Sequence, residues 1–301
     1  MRAFEYFTAT DSKHAVALLA EHAPARVLAG GTDLLADLKA STHALKTVVD
    51  ISRATDMRKI EVNARGLCIG ALVTHSEIMA SKVIREMFPA LVDAAHTIGA
   101  VQTRNLGTLG GNLVTAVPSV DSGPTLVALD ALATIAGPAG KRQVPMGEFF
   151  VGPRKTVLKA DELLVEIVIP EENLNKPAHF LKMGLRKGQA LALVNVASSL
   201  WIDAKKNTCR EVRIALGAVA PTVVRAKTAE KFLEGRAATA ENFAEAGRLA
   251  VEDARPISDM RASAEYRKDL VAVLAKRTLE GACAQSGAAM AHKGANKGAR
   301  K

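Results

Sequence analysis

Only three cysteines occur in the 301 residues of this sequence, Cys68, Cys209 and Cys283, and no two of them form a C-x-x-C pair. The spacing excludes a recognisable zinc or iron–sulfur site. An odd thiol count also argues against a disulfide framework and for a reducing compartment. Aromatic residues are sparse, at 4%. No basic run is interleaved with Tyr, Phe or Trp, as a platform for single-stranded nucleic acid requires. The formal net charge of +9 is a weaker signal than it looks, because Lys293, Lys297, Arg300 and Lys301 at the very end supply four of the nine charges. Nucleic-acid binding is therefore not expected. Long apolar runs are missing too: Gly, Pro or charge interrupts each well before the roughly 18 residues of a membrane span. The N-terminal MRAFEYFTATDSKHAVALLAEH carries acids and no cleavage site, so it does not read as a signal peptide, and a cytoplasmic location is expected.

What is present is an ordinary composition, 49% hydrophobic and 24% charged, in a chain long enough for two domains. Its organising stretch is Arg26 to Leu35, RVLAGGTDLL. A short apolar strand over Val27 to Ala29 runs into a Gly-Gly turn, and a helix opens at Thr32 or Asp33, with Leu34, Leu35 and Leu38 as its buried stripe. TVVDI at 47–51 is the next strand, so the unit is a small βαβ with the turn at its ligand edge. Such a turn is either structural, because tight turns need glycine, or an anion site that points N–H groups at a phosphate. The second glycine loop, GTLGGNL at 107–113, favours the anion reading. Two loops about 75 residues apart that each offer N–H groups are able to grip both phosphates of a dinucleotide. Neither fits G-x-G-x-x-G or a Walker loop.

Elsewhere the pattern reads as a strand at Phe4 to Phe7, a helix capped by Thr10 or Asp11, a hairpin over IEVNARGLCIGAL, a helix capped by Thr74, and a helix over Pro89 to Ile98. Residues 100–131 read as a long irregular segment with a binding task. Short strands resume from Asp130, and LLVEIVIP at 163–170 closes the first part. Beyond a connector at 171–177, three antiparallel strands are expected at Ala178 to Met183, Ala192 to Ile202 and Arg210 to Val219. Helices start near Thr239 and Ser258, a last amphipathic run covers Tyr266 to about Ala284, and a disordered basic tail follows at 286–301.

AGGTDLL at 29–35 and RNLGTLGGNLVTAVPSVDSGPTLVALDA at 104–131 resemble the FAD-binding medium subunits of molybdenum hydroxylases, the xanthine dehydrogenase and carbon monoxide dehydrogenase family. LLVEIVIP at 163–170, HFLKMGLRKGQALALVNVASSL at 179–200 and PISDMRASAEYR at 256–267 continue the resemblance in the family's order. It implies an α+β fold: a two-subdomain FAD-binding domain of the vanillyl-alcohol oxidase (PCMH) type over 1–172, divided at about 55/56, then a C-terminal domain over 178–285 with a three-stranded antiparallel sheet and helices.

The resemblance also implies site residues. Val27, Leu28, Ala29, Gly30, Gly31, Thr32, Asp33 and Leu34 match the first pyrophosphate loop; Thr108, Gly110, Gly111 and Asn112 match the second. Ile98 matches a flavin-contacting position, and Asp121 an acid that hydrogen-bonds the FAD sugar chain. Leu164 and Lys182 match positions near the isoalloxazine ring, although by residue type a lone lysine at a strand end is a solvated charge. One departure is Val117, which stands where the family often has an acid in an Ala-Asp-Pro run. The scattered cysteines also exclude the variant with an extra cluster in this subunit. The implied activity is electron transfer through FAD, from iron–sulfur clusters of a small subunit to NAD or another acceptor, with molybdopterin on a large subunit and a dimer of heterotrimers as the assembly. No acid–base side chain is nominated, and His75 and His96 read as structural. The alternatives are a stand-alone FAD-dependent reductase with its own substrate pocket and a flavin-free scaffold.

Overall fold

The structure, a computed structural model, describes residues 3–40 and 45–295. In chain order its strands and helices are β1 (Glu5–Thr8), α1 (Ser12–Glu21), β2 (Ala25–Leu28), α2 (Leu34–Ala40), β3 (Thr47–Asp50), β4 (Ile60–Asn63), β5 (Gly66–Gly70), α3 (His75–Ala80), α4 (Lys82–Met87), α5 (Pro89–His96), α6 (Val101–Leu106), α7 (Leu109–Thr115) and α8 (Ser122–Ala128). Then follow β6 (Leu132–Gly137), β7 (Gly140–Pro145), α9 (Met146–Phe149), β8 (Phe150–Gly152), β9 (Lys155–Thr156), β10 (Leu163–Pro170), β11 (Ala178–Gly184), β12 (Ala192–Asp203), β13 (Thr208–Gly217), β14 (Val224–Arg225), α10 (Lys227–Leu233), α11 (Ala240–Ala250) and α12 (Ala264–Ala295). They fall into two units. The N-terminal unit takes the residues up to Ser81 with Ile98–Val117 and Asp130–Leu174; the C-terminal unit takes Lys82–Thr97, Pro118–Leu129 and the chain from Asn175 on.

In the N-terminal unit β1, β3 and β2 form a parallel sheet in that order, so β2, α2 and β3 make the expected βαβ. The β-branched pair Val48 and Val49 makes β3 the buried centre. Helix α1 is capped by Asp11, whose side chain accepts from the His14 N–H, and buries Ala15, Val16 and Leu19 in one cluster with Val49, Ile51, Leu163 and Val165. The last two belong to β10, the middle strand of a five-stranded antiparallel sheet ordered β4-β5-β10-β6-β7. The stripe expected on α2 is not buried: no residue of that helix is, and Leu35 is 41% exposed. Periodicity tells which residues share a face, whereas only the tertiary structure tells whether anything covers it. The segment expected to be irregular folds instead as α6, α7 and α8. Helices this short gain little from propensity: α7 is capped by Thr108 and every residue of α8 is buried, features that sequence pattern does not display, while α6 buries none of its residues.

The C-terminal unit holds an antiparallel sheet ordered β11-β12-β13-β14. The three long strands lie where expected, and the fourth, only two residues long, adds to the three-stranded expectation because it has no periodicity to read. Val194, Val196, Ile214 and Leu216 of this sheet pack with Phe243 of α11 and with Val271, Leu274, Ala275, Leu279 and Ala282 of α12, a helical 3–4 spacing. Helix α12 starts at Ala264, close to the final run expected from Tyr266, and among the described residues no separate helix starts near Ser258. Residues 258–263 are a turn in which Asp259 accepts the Arg261 and Ala262 N–H groups and Ser258 that of Ala264. It runs on to Ala295, so 286–295 of the expected disordered tail are helical, and 296–301 lie outside the described residues. An alanine-rich continuation propagates readily from a helix already docked, since the nucleation cost is met upstream.

Candidate functional site

Both glycine loops belong to the N-terminal unit, and the fold brings them together. Val27 and Leu28 end β2, Ala29 to Asp33 make the turn, and Leu34 opens α2. Within the turn the Leu35 N–H donates to Gly31 O and the Asp37 N–H to Asp33 O. The N–H groups of Gly30, Gly31, Thr32 and Asp33 have no acceptor among the described residues. Gly31 has φ +73°, a left-handed conformation that favours glycine. Gly30 is dictated by proximity: a Cβ there would lie 1.8 Å from the Leu106 carbonyl oxygen, at the end of α6 and next to the second loop. Thr115 Oγ1 also donates to Asp33 Oδ2 at 3.2 Å, which ties α7 to the first loop.

The second loop is built differently. The Gly110 N–H donates to Ala71 O at 2.9 Å, the Gly111 N–H to the capping Thr108 Oγ1 at 3.0 Å, and the Asn112 N–H to Thr108 O at 3.0 Å. The expectation of two loops with open N–H groups thus holds for the first loop only, because the start of α7 is satisfied from within the unit. Gly110 is a packing glycine, since a Cβ there would meet the Ala71 Cβ at 2.7 Å. Gly111 keeps an open side, with only Thr108 Oγ1 within 4 Å of its would-be Cβ.

His75 lies beside these loops. It is the first residue of α3, whose capping box pairs Thr74 with Glu77, and its N–H donates to Gly107 O at 3.1 Å. The side chain is buried and its Nδ1 has no partner, so it is not the satisfied structural histidine that residue type suggests. Burial, with the nearby Arg104 charge, holds its pKa down to about 4 against an ordinary 6.5. Because the folded value lies below the unfolded one, this contribution to stability is complete above pH 6.5 and is lost as the pH falls towards 4. The expected loss is about 3 kcal/mol. His75→Phe should remove this contribution, so that in a pH series of urea unfolding its stability relative to the parent rises as the pH falls from 6.5 towards 4; a difference that does not change with pH would show that His75 ionises freely. His96, by contrast, is exposed on α5. Ile98 is buried, with its carbonyl accepting from Arg104 Nη1 at 2.9 Å, and Leu164 is buried in β10 opposite Ile135 of β6.

Asp121 and Lys182 belong to the C-terminal unit, where they meet. Lys182 Nζ lies 2.6 Å from Asp121 Oδ2 and also donates to Thr97 O at 3.1 Å, next to the C-terminus of α5. Its side chain is 6% exposed, so the lysine is a buried ion-pair partner and not a solvated charge. Asn195 Nδ2 donates to Asp121 Oδ1 and to Val120 O, each at 3.1 Å. Burial pushes the Asp121 pKa up to about 6, against the pull of the Lys182 charge and of both hydrogen bonds. The sequence reading missed Asn195; the available signal was one amide inside the apolar run LALVNVASSL. Among the described residues no group of three His, Cys, Asp or Glu is arranged to hold a metal, and no helix is long and apolar enough to cross a membrane.

Residues 2–172 match the family described as the FAD binding domain in molybdopterin dehydrogenase, and residues 179–282 match the CO dehydrogenase flavoprotein C-terminal domain. The chain is 32% identical to a xanthine dehydrogenase FAD-binding subunit of Escherichia coli, over 94% of this chain and 97% of the relative. It is 31% identical to the carbon monoxide dehydrogenase medium chain of Hydrogenophaga pseudoflava, over 94% and 98%. A solved structure of carbon monoxide dehydrogenase from Hydrogenophaga pseudoflava superposes with a TM-score of 0.89 at 32% identity, covering 94% of this chain and 98% of that one. For quinoline 2-oxidoreductase from Pseudomonas putida the TM-score is 0.87 at 30% identity, covering 95% and 98%. The chain therefore belongs to the FAD-binding medium subunits of the molybdenum hydroxylase family, as the flavoprotein subunit of an oxidoreductase.

Proposed function

We propose that this chain holds FAD as the electron-transfer subunit of a multi-subunit molybdenum hydroxylase and that substrate oxidation takes place on another subunit. The observation that carries the reading is the first loop: four consecutive N–H groups without an acceptor, on a turn braced by the Gly30–Leu106 approach. Such a row of donors suits an anion that brings its own charge, here the pyrophosphate of FAD. Gly30, Gly31, Thr32 and Asp33 supply these donors, within the stretch 27–34 that forms the first wall of the site. Thr108, Gly110, Gly111 and Asn112 shape the second wall, and Gly111 leaves the space through which a phosphate approaches. Ile98 and Leu164 line the flavin, Asp121 hydrogen-bonds the sugar chain, and Lys182 sets the charge near the ring. The domain division follows the resemblance, with a PCMH-type flavin domain over 1–172 and a C-terminal domain over 178–285.

FAD supplies a ring that accepts electrons and passes them on. The protein contributes position and electrostatics, and no acid–base side chain of this chain takes part. Molybdopterin belongs on a large partner subunit and the iron–sulfur clusters on a small one, in a cytoplasmic dimer of heterotrimers with NAD or another acceptor as the electron outlet. The full chain should purify yellow, and a tag on it should recover a large molybdenum subunit and a small iron–sulfur subunit from its source cells. A colourless chain that takes up no added FAD would end the flavin reading. A yellow chain that purifies alone and oxidises NADPH with its own substrate would end the electron-relay reading.

A further inference from the structure

We propose that Asn195 is a positioning residue that sets the direction of the Asp121 carboxylate, and that Gly217 is glycine to make room for it. The inference rests on the reading that Asp121 hydrogen-bonds FAD. Asn195 is fully buried in the first half of β12. Both protons of its amide are used, one on Asp121 Oδ1 and one on Val120 O, each at 3.1 Å. A flipped amide would aim an oxygen at two acceptors, so the hydrogen bonds fix the assignment of the ends. The oxygen Oδ1 meanwhile has no partner. An aliphatic residue would avoid that unmet acceptor at this position, so the amide needs a reason, and its two donors are the reason the geometry offers.

Asn195 lies opposite Lys182 on β11 and opposite Gly217 on β13. A Cβ on residue 217 would lie 2.1 Å from Asn195 Oδ1 and 3.0 Å from Pro124 Cγ. Two strands are therefore shaped around one side chain. With Lys182 on Oδ2 and Asn195 on Oδ1, each carboxylate oxygen has its own donor, and the carboxylate plane is fixed. The lone pairs left over then point in set directions, which is what a residue that orients a ligand hydroxyl requires.

The test is a cycle of FAD titrations on the full-length chain, followed by flavin fluorescence, with thermal unfolding of each cofactor-free variant alongside. Asn195→Leu keeps the volume and removes the donors, and is expected to weaken FAD about tenfold, the usual cost of losing a hydrogen bond to a charged group. Asp121→Asn should weaken FAD at least as much. In the Asp121→Asn background, Asn195→Leu should add less than about twofold, because the residue acts through that carboxylate. Gly217→Ala deletes no polar group and should reproduce Asn195→Leu, which keeps the question answerable if the latter fails to fold. A lowered unfolding temperature with unchanged FAD affinity, or fully additive effects, would overturn the positioning role and leave the Asp121 reading intact. Unchanged affinity in Asp121→Asn would overturn the Asp121 reading and this inference with it.

Discussion

A chain carrying Gly30→Ala should purify colourless and bind added FAD at least about a hundredfold more weakly than the parent, a change of about 3 kcal/mol. The size follows from geometry. The new Cβ would sit 1.8 Å from the Leu106 carbonyl oxygen, and this neighbour is backbone, which cannot swing aside as a long side chain does. One loop must retreat by more than about 1 Å to restore van der Waals contact, and overpacking of this kind costs about 1–3 kcal/mol even where the surroundings yield. The retreat takes the open N–H groups of Gly30 to Asp33 with it, so stability and cofactor affinity fall together. Gly188→Ala is the matched control: nothing lies within 4 Å of a Cβ there and its φ is not positive, so colour and stability should be unchanged. Flavin absorbance per chain and a fluorescence titration measure colour and affinity, and urea unfolding of the cofactor-free chains measures stability. A yellow Gly30→Ala with parental affinity would show that the approach of the two loops is irrelevant to the cofactor.

Lys182→Met should cost about 3–5 kcal/mol of stability at pH 8, the range for leaving one member of a buried ion pair uncompensated. Methionine keeps most of the buried stem and removes the ammonium that lies 2.6 Å from Asp121. The effect should depend on pH with a definite sign. The folded Asp121 pKa of about 6 is above the ordinary 3.8, so the folded state holds a proton that the unfolded chain releases over that interval. Its contribution to stability is then most favourable below pH 4 and is lost as the pH rises through 6. Without Lys182 the folded value rises further, so the penalty grows towards pH 8 and largely disappears near pH 4. Urea unfolding of parent, Lys182→Met and Lys182→Met/Asp121→Asn at several pH values measures it, and the double variant should recover most of the loss. An equal penalty at all pH values would mean that Asp121 carries no charge in the fold. The His75 contribution runs in the opposite direction over nearly the same interval, so the parent should show a flatter acid profile than either variant series.

Much of this molecule was legible from pattern alone. The glycine-bounded strand, the hairpin over residues 60–70, the caps at Thr74 and Thr239, and the three long strands after residue 178 are local features, in which spacing and turn chemistry act within a few residues of each other. Local order also sufficed for the two glycine loops and for the family they resemble, since each motif is contiguous. Three things required the tertiary structure. Leu34, Leu35 and Leu38 share a helix face, yet only the packing reveals that the face is half-buried at Leu34 and Leu38 and exposed at Leu35. Gly110 and Gly111 look like Gly30 and Gly31 in sequence, but the carbonyl of Ala71 and the hydroxyl of Thr108 have claimed their N–H groups. Asp121 is far along the chain from Lys182 and Asn195, which face each other on neighbouring strands, and burial turns an ordinary strand-end lysine into the partner of that carboxylate. By itself, then, the sequence determined the long strands, the capped helices, the two loops and the family, because those depend on near neighbours, while the short helices α6 to α8 did not show in it. Which donors are left open, and which charges are dry enough to matter, was decided by contacts between distant segments, because desolvation and hydrogen-bond competition exist only once the chain has folded.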